Sequence, residues 1–404
     1  MIWGKLSPAG KRFSIAGLEN SLMSEKIKTG LVALVPDWWD GPTQTRHQVM
    51  ERLSKDFKIC WVNPPVEWRK QWLSGETSPK PEFEQINDNL TVYTPSKFLP
   101  LLFRPQILAD WTEKQRYLKA IKYLKKSGCK KIGLYLWRPK FINAAFWCDF
   151  DFKLYHIDDE YSFSTTEKPL DPTEVKLIKK VDQVIIHSRT LMEKKGQLNP
   201  QTAQIPNGVN FALYSKKYPE PDDLKNIPRP IVGYTGRIKS QLNFGLLLEI
   251  ARDNPEISFV FVGPVSQLGD EKQNYDELLT LPNVYFLGSK NAADLPAYVN
   301  NFDVCMMCYN LNDYTKYIYP LKLHEYLASG KPVVGTPIEA LLEFDSIIRL
   351  AKDKAGWGEA IKYSLTGEAQ KEEKIKERQK TAAGHDWDSL VGRISAIIMD
   401  KMNL

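Results

Sequence analysis

Short apolar runs ending in glycine, proline or a polar turn recur along this 404-residue chain, spaced by helix-length or loop-length segments. In the first half they read LVALVP, FKICWVNPP, LTVYTPS, KIGLYLWRP, KLYHID and QVIIHS. In the second half IVGYTGR, ISFVFVGP, NVYFLGS, FDVCMMCY and KPVVGTP follow, with SIIRLAK as a last strand. Segments such as HQVMERLSKDF, NFGLLLEIARD and LKLHEYLAS carry helical spacing between them. Strand–helix alternation of this kind predicts an α/β protein with mostly parallel sheets covered on both faces. The chain is too long for one ordinary core. A Pro-rich charged connector, KKYPEPDDLKNIPRP, divides the two series. The expected organisation is a loosely held extension over 1–28, a first domain over 29–210, a linker over 211–230 and a second domain over 231–385. A terminal helix over 386–404 could pack back on the first domain.

Hydrophobic residues at 43% and charged residues at 26% are those of a soluble globular chain, and no apolar run is long enough to span a bilayer. The first 28 residues lack the apolar core of a secretory signal. Five scattered cysteines make no disulfide framework, so a reducing, cytoplasmic setting is expected. Cys305 and Cys308 form a CxxC inside a strand-like run, where positions three apart face opposite ways, and core packing accounts for them better than metal. The net charge of +6 admits an anionic substrate or membrane surface without the bias of a nucleic-acid binder.

From Lys97 to Lys131 the composition changes. KFLPLLFRPQIL is apolar and aromatic with interleaved cations, and WTEKQRYLKAIKYLKKSGCKK is rich in lysine. Helical spacing puts Trp111, Leu118, Ile121 and Leu124 on one side. Such a helix can lie on an anionic membrane, or it can be a domain helix with solvated lysines.

Three places carry chemistry. In YIYPLKLHEYLASGKPVVGTP, Pro320 suits a helix start and Gly330 a helix stop, and Lys322 and Glu325 share one face. A cation, a carboxylate and helix-start N–H groups in one volume suit a nucleoside diphosphate; the same spacing suits an ordinary αβ unit. Gly233-Tyr234-Thr235-Gly236-Arg237 is a strand ending in a glycine turn with a cation, a form that brings backbone close to phosphate. In the first half, Trp38-Trp39-Asp40-Gly41 with His47, and His156-Ile157-Asp158-Asp159-Glu160, stand at predicted strand ends, where ligands gather in parallel sheets. Crowded carboxylates raise one pKa and favour general-base work, although Asp158 or Asp159 would equally serve as a cap.

In order and spacing, IPNGV, GYTGR, FVFVGP, NVYFLGS, FDVCMMCY and PLKLHEYLASGKPVV resemble the second domain of GT-B glycosyltransferases of the "group 1" or family 4 type. DWWDGPTQTRHQ, CWVNPP and HIDDEYSFS extend the resemblance more loosely into the first half. It implies two Rossmann-like domains with parallel sheets facing across a cleft, and transfer of a sugar from a nucleotide diphosphate sugar to a carbohydrate or lipid-linked acceptor. Cell-envelope or exopolysaccharide assembly is the expected setting, with the protein cytoplasmic and, on the membrane reading of the Lys97–Lys131 stretch, peripheral on the inner face of the membrane. The resemblance implies that Arg237 and Lys322 hold the diphosphate and offset leaving-group charge. Glu325 then meets the ribose and backbone near Gly288 and Ser289 edges the base, while Gly236, Tyr319 and Leu321 complete the donor side. Trp39, Gly41 and His47 border the acceptor, and Asp158 or Asp159 is the candidate base. No cofactor and no metal are expected beyond the co-substrate. Two departures stand out: Tyr317 replaces a frequent second glutamate, and Leu242 replaces the lysine that commonly follows the Gly-Arg turn. An epimerase on the same fold and a non-catalytic nucleotide-sugar binder are the alternatives.

Overall fold

The computed structural model describes residues 28–69, 81–161 and 170–404. The 1–28 extension, Lys28 apart, and the SFS end of HIDDEYSFS lie outside the described residues. The first sheet contains β1 (Thr29–Leu34), β2 (Lys58–Val62), β3 (Phe83–Asn87), β4 (Leu90–Tyr93), β5 (Lys131–Leu136), β6 (Phe152–Ile157), β7 (Gln183–Ile186) and β8 (Thr202–Gln204). Its order is β3-β4-β2-β1-β5-β6-β7-β8, parallel except for β3, which pairs antiparallel with β4. The polar sequence of β3, FEQIN, hides that edge strand from a hydrophobicity reading.

The second sheet contains β9 (Ile231–Thr235), β10 (Ser258–Val262), β11 (Val284–Phe286), β12 (Val304–Met307), β13 (Val333–Gly335) and β14 (Arg349–Leu350). It is parallel throughout, in the order β11-β10-β9-β12-β13-β14. In both sheets the strand order reverses beside the first strand, between β1 and β5 and between β9 and β12. Loops leaving the carboxyl ends of β1 and β9 therefore flank the crevices where doubly wound sheets take ligands. These are two Rossmann-like domains of the GT-B type.

Alternation of side chains gives the first sheet two cores. Val32, Leu34, Cys60 and Val62 join Tyr117, Ile121, Leu124 and Leu177 on one face. Leu31, Ala33, Ile59 and Trp61 join Trp387, Leu390, Ile394 and Ile398 on the other. The Trp387–Lys401 helix thus belongs spatially to the first domain. Its entry is held by a parallel bridge between Val209 and Asp386, where the chain crosses between domains twice. Val209 N–H donates to His385 O at 2.9 Å and Trp387 N–H to Val209 O at 3.0 Å. A Cβ on Gly208 would come within 2.7 Å of His385 O, so only glycine lets the two crossings lie this close.

Two expectations need correction. The 211–230 segment is no free linker, because Tyr214, Leu224 and Ile227 are buried in the second domain's core. The Gln106–Lys126 helix does not group Trp111 and Leu118 with Ile121 and Leu124. Trp111 and Leu118 are exposed, whereas Ile121 and Leu124 pack inward with Tyr117. At 100° per residue the two pairs occupy separate stripes, and the sheet takes the one that includes Tyr117.

Candidate active site

The second domain's share of the site is built at the end of β9. Gly236 has φ +124°, a conformation that disfavours any side chain, and its N–H donates to Val262 O at 2.8 Å. A Cβ there would lie 2.6 Å from Lys322 Nζ, so the ammonium rests on the bare glycine. Lys322 Nζ also stands 5.1 Å from the centroid of the Tyr234 ring, whose hydroxyl donates to Arg237 O at 3.1 Å. The Arg237 side chain itself is exposed. Lys322 belongs to the first turn of the Leu321–Ala328 helix, which Pro320 precedes. That helix ends in a Schellman motif, with Gly330 N–H on Leu327 O at 2.9 Å and Lys331 N–H on Tyr326 O at 3.1 Å.

Glu325 follows one residue short of a full turn after Lys322 and is half-buried. Desolvation pushes its carboxyl above the usual range, against the opposing pull of Lys322 and of a hydrogen bond from the Tyr214 hydroxyl. Gly288 and Ser289 are exposed beyond β11, and Gly288 O accepts from Gly263 N–H at 2.8 Å.

Between the domains lies a cavity of about 460 Å³ whose lining includes Trp39, His47, Gly208, Tyr214, Leu321 and Glu325. Leu321 packs against the first domain's apolar cluster. The first domain's wall is aromatic: Trp39 and His47 line the cavity with ring centroids 5.1 Å apart, backed by the buried Trp61 ring at 4.7–5.1 Å from both. Gly41 forms the turn after Trp39, its N–H on Trp38 O at 3.1 Å.

His47 has no polar atom to spare for an acceptor. Its Nδ1 accepts from Gln44 N–H at 3.2 Å, and its Nε2 donates to Trp39 O at 3.1 Å. Burial lowers its pKa despite that backbone hydrogen bond, so the ring is a neutral cap on its own helix. Tyr319 is also drawn away from the donor side. It is buried, with its hydroxyl 3.0 Å from His324 Nε2 and its carbonyl accepting from Asn207 Nδ2 at 3.2 Å. Asn207 Oδ1 in turn accepts from Thr45 Oγ1 at 3.2 Å, which ties the two domains beside the cavity.

The two carboxylates after β6 have different environments. Asp158 is clamped by Arg138 and Arg46, each at 2.6 Å, and accepts from the Tyr161 hydroxyl. Burial alone would raise its pKa, but the two guanidinium groups hold it down at about 2. A carboxylate that acidic is a poor base, and Asp158 acts as the anchor of an arginine pair. Asp159 is pushed upward by burial and by Asp158, with its Oδ1 accepting from Glu160 N–H at 2.9 Å.

Both departures in the sequence have structural consequences. Tyr317 is buried in the first domain's core cluster rather than turned to the donor. Leu242 is a core residue bridged to Tyr309, while Lys239 in the same loop reaches the Tyr314 hydroxyl at 3.2 Å. Sequence reasoning missed Tyr214, Arg46 and Arg138. Arg138 was open to the strand-end argument, since it follows β5 as the Trp38 loop follows β1; no spacing links Tyr214 to Glu325. Cys305 and Cys308 are buried thiols. Among the described residues no three His, Cys, Asp or Glu side chains gather so as to hold a metal ion.

This fold and corner define a class: the chain is a GT-B fold protein related to the group 1 glycosyltransferases. Residues 229–378 match the family described as "Glycosyl transferases group 1". Over 175 residues the chain is 34% identical to the "Putative teichuronic acid biosynthesis glycosyltransferase TuaH" of Bacillus subtilis (strain 168), a match spanning 42% of this chain and 44% of that relative. Among solved structures, the Escherichia coli protein titled "Trehalose-6-phosphate from E. coli bound with UDP-2-fluoro glucose" superposes with a TM-score of 0.65 at 11% identity, covering 93% of this chain and 99% of that one. An α,α-trehalose-phosphate synthase (UDP-forming) from Burkholderia vietnamiensis does so at 0.63 and 14%, over 93% and 99%. At such identities the likeness is one of fold.

Proposed function

We propose that the chain is a glycosyltransferase that moves a sugar from a nucleoside diphosphate sugar on the second domain to an acceptor hydroxyl on the first. The observation that carries this reading is the corner where the Lys322 ammonium rests on Gly236, with Glu325 beside the interdomain cavity. An ammonium and the free N–H groups of a helix start suit a diphosphate. A carboxylate held by Tyr214 suits the two hydroxyls of a ribose. Arg237, one residue past Gly236, is the second cation for the same phosphates, and backbone at Gly288 and Ser289 edges the base. As the sugar–phosphate bond breaks, negative charge grows on the leaving diphosphate, and cations fixed in advance stabilise that charge without reorganising. The mechanism asks for no metal ion.

On the acceptor side Asp159, rather than Asp158, is the carboxylate suited to take or orient a hydroxyl proton. Trp39 and the Gly41 turn supply the apolar wall on which a sugar ring packs. The acceptor class is a carbohydrate or lipid-linked carbohydrate of envelope polysaccharide, in keeping with the name of the Bacillus subtilis relative.

The test is calorimetric titration with a panel of nucleotide sugars, followed by assay of nucleoside diphosphate release with candidate acceptors. Lys322→Ala and Glu325→Ala should each weaken nucleotide binding by roughly ten- to a hundredfold, the worth of a charge-assisted hydrogen bond, and remove turnover. Unchanged turnover in either variant refutes the donor site. Conversion of the bound sugar without transfer would replace this reading with an epimerase.

A further inference from the structure

We infer that the first domain carries a docking surface for an anionic lipid bilayer, formed by the Gln106–Lys126 helix and the loop before it. Of twelve large hydrophobic side chains left exposed among the described residues, six fall between positions 98 and 118: Phe98, Phe103, Ile107, Leu108, Trp111 and Leu118. Phe98 is 74% and Ile107 82% exposed, so these are bare side chains rather than edges of the core.

Their arrangement on the helix is regular. Ile107, Trp111, Lys114, Leu118, Lys122 and Lys125 are all exposed and follow one another at steps of three or four residues. The outward stripe is thus mainly apolar toward the helix start and cationic toward its end, while Thr112, Arg116, Tyr117, Ala120, Ile121 and Leu124 face inward. A solvated helix face has no use for Ile107 and Trp111, and a protein–protein core is depleted in lysine. Apolar groups at acyl-chain level with lysines reaching up to headgroup phosphates satisfy both halves of the pattern.

The surroundings repeat the pairing of aromatic and cation. Lys97 Nζ stands 5.5 Å from the Phe98 ring. Trp68, joined to the same loop by its N–H on Leu101 O at 3.4 Å, has the Arg69 guanidinium 5.5 Å from its ring. Phe146, on a helix in the same layer over the sheet, lies beneath Lys176 and Lys180 at 4.9 and 5.3 Å. Of the acidic groups nearby, Glu82 is paired with Lys119, while Glu113 accepts from Tyr117 and Asn143 and Asp110 from Gln106. The exposed cations Lys97, Arg104, Lys114, Lys122, Lys125 and Lys126 outnumber these carboxylates, so the face is cationic. Among the described residues no helix is long and apolar enough to cross a membrane, so the surface lies on the bilayer.

The inference stands apart from glycosyl transfer and is tested without it, by flotation of the full chain with phosphatidylcholine vesicles that contain or lack phosphatidylglycerol. Binding is expected to the anionic vesicles and to weaken with salt. The triple variant Phe103→Ser/Ile107→Ser/Trp111→Ser should lose at least about tenfold in that binding while its melting temperature stays unchanged, because all three side chains are exposed. Lys114→Gln/Lys122→Gln/Lys125→Gln should lose on the order of fivefold per lysine and with it the preference for anionic lipid. No vesicle binding by the full chain overturns the inference, as does binding indifferent to lipid charge and to both variants. A chain that ignores vesicles but forms a dimer broken by the apolar triple variant shows the face to be a protein interface, which overturns it equally.

Discussion

Lys194 Nζ lies 4.7 Å from the centroid of the Tyr317 ring, and that ring, carried by the second domain, is buried in the apolar core of the first. Lys194 is itself anchored to Glu160 at 3.2 Å. At the position where the family resemblance implies a carboxylate, this chain has a wedge that joins its two domains. Tyr317→Ala should cost about 3 kcal/mol in chemical denaturation, as for other large aromatic truncations in a core. It should also lower kcat/KM, because the cavity walls come from both domains. Tyr317→Phe should keep most of both. A full-strength Tyr317→Ala enzyme would show that the wedge has no part in holding the cleft.

Gly236 offers a sharper local test. Its φ of +124° strains any side chain, and Lys322 Nζ, 2.6 Å from where a Cβ would stand, must move aside for alanine. Gly236→Ala should cost about 1–3 kcal/mol of local strain, and the displaced ammonium should raise the nucleotide Kd by roughly tenfold. Calorimetry and thermal melting separate the two effects. A wild-type Kd in the alanine variant would mean that Lys322 does not hold the diphosphate.

Much of this architecture was legible in the sequence. Strand runs such as LVALVP and IVGYTGR are apolar at successive positions because they are covered on both faces, so parallel strands announce themselves. The edge strand β3 does not, since its FEQIN sequence is mostly solvated. In the Leu321–Ala328 helix, Lys322 and Glu325 could be paired by spacing alone. The partner of Glu325 could not, because Tyr214 is more than a hundred residues away and only the double crossing at Val209 and Asp386 brings its segment to that helix. Adjacent Asp158 and Asp159 looked interchangeable, yet Arg46, in the first turn of the Thr45–Leu53 helix, and Arg138, just past β5, select one of them. Trp111 and Leu118 were grouped on one side with Ile121 and Leu124 because apolar spacing identifies a stripe but not which part of it the sheet takes.

Asp158 and Asp159 should part company in mutagenesis. Asp158→Asn leaves Arg46 and Arg138 without their shared carboxylate and should destabilise the protein by about 3 kcal/mol, with a lower melting temperature. Asp159→Asn should leave melting nearly unchanged and reduce turnover. The stability contribution of Asp158 follows from its depressed pKa, about 2 against an ordinary 3.8. A depressed carboxyl stabilises above its unfolded pKa, so about 2 kcal/mol is present from about pH 4 upward and is lost as pH falls toward 2. Denaturation of wild type and Asp158→Asn across that window measures the difference. Equal pH dependence in the two proteins would remove Asp158 from the anchoring role.

Glu325 carries the opposite shift, and its sign sets the pH dependence of donor binding. Desolvation raises its pKa, so the carboxylate needed to accept from ribose hydroxyls is lost at a higher pH than for an ordinary glutamate. Nucleotide affinity should therefore fall on acidification, with a midpoint above the usual glutamate range. The Tyr214 hydroxyl favours the ionised form, so Tyr214→Phe should move that midpoint further upward while leaving affinity at high pH within about a few-fold of wild type. Glu325→Gln should bind weakly and flatten the profile. Calorimetric titration of one nucleotide across pH with the three proteins decides the matter. A midpoint that ignores Tyr214→Phe would mean that the titrating group is not Glu325, and a profile that survives Glu325→Gln would assign it to the nucleotide's own phosphate.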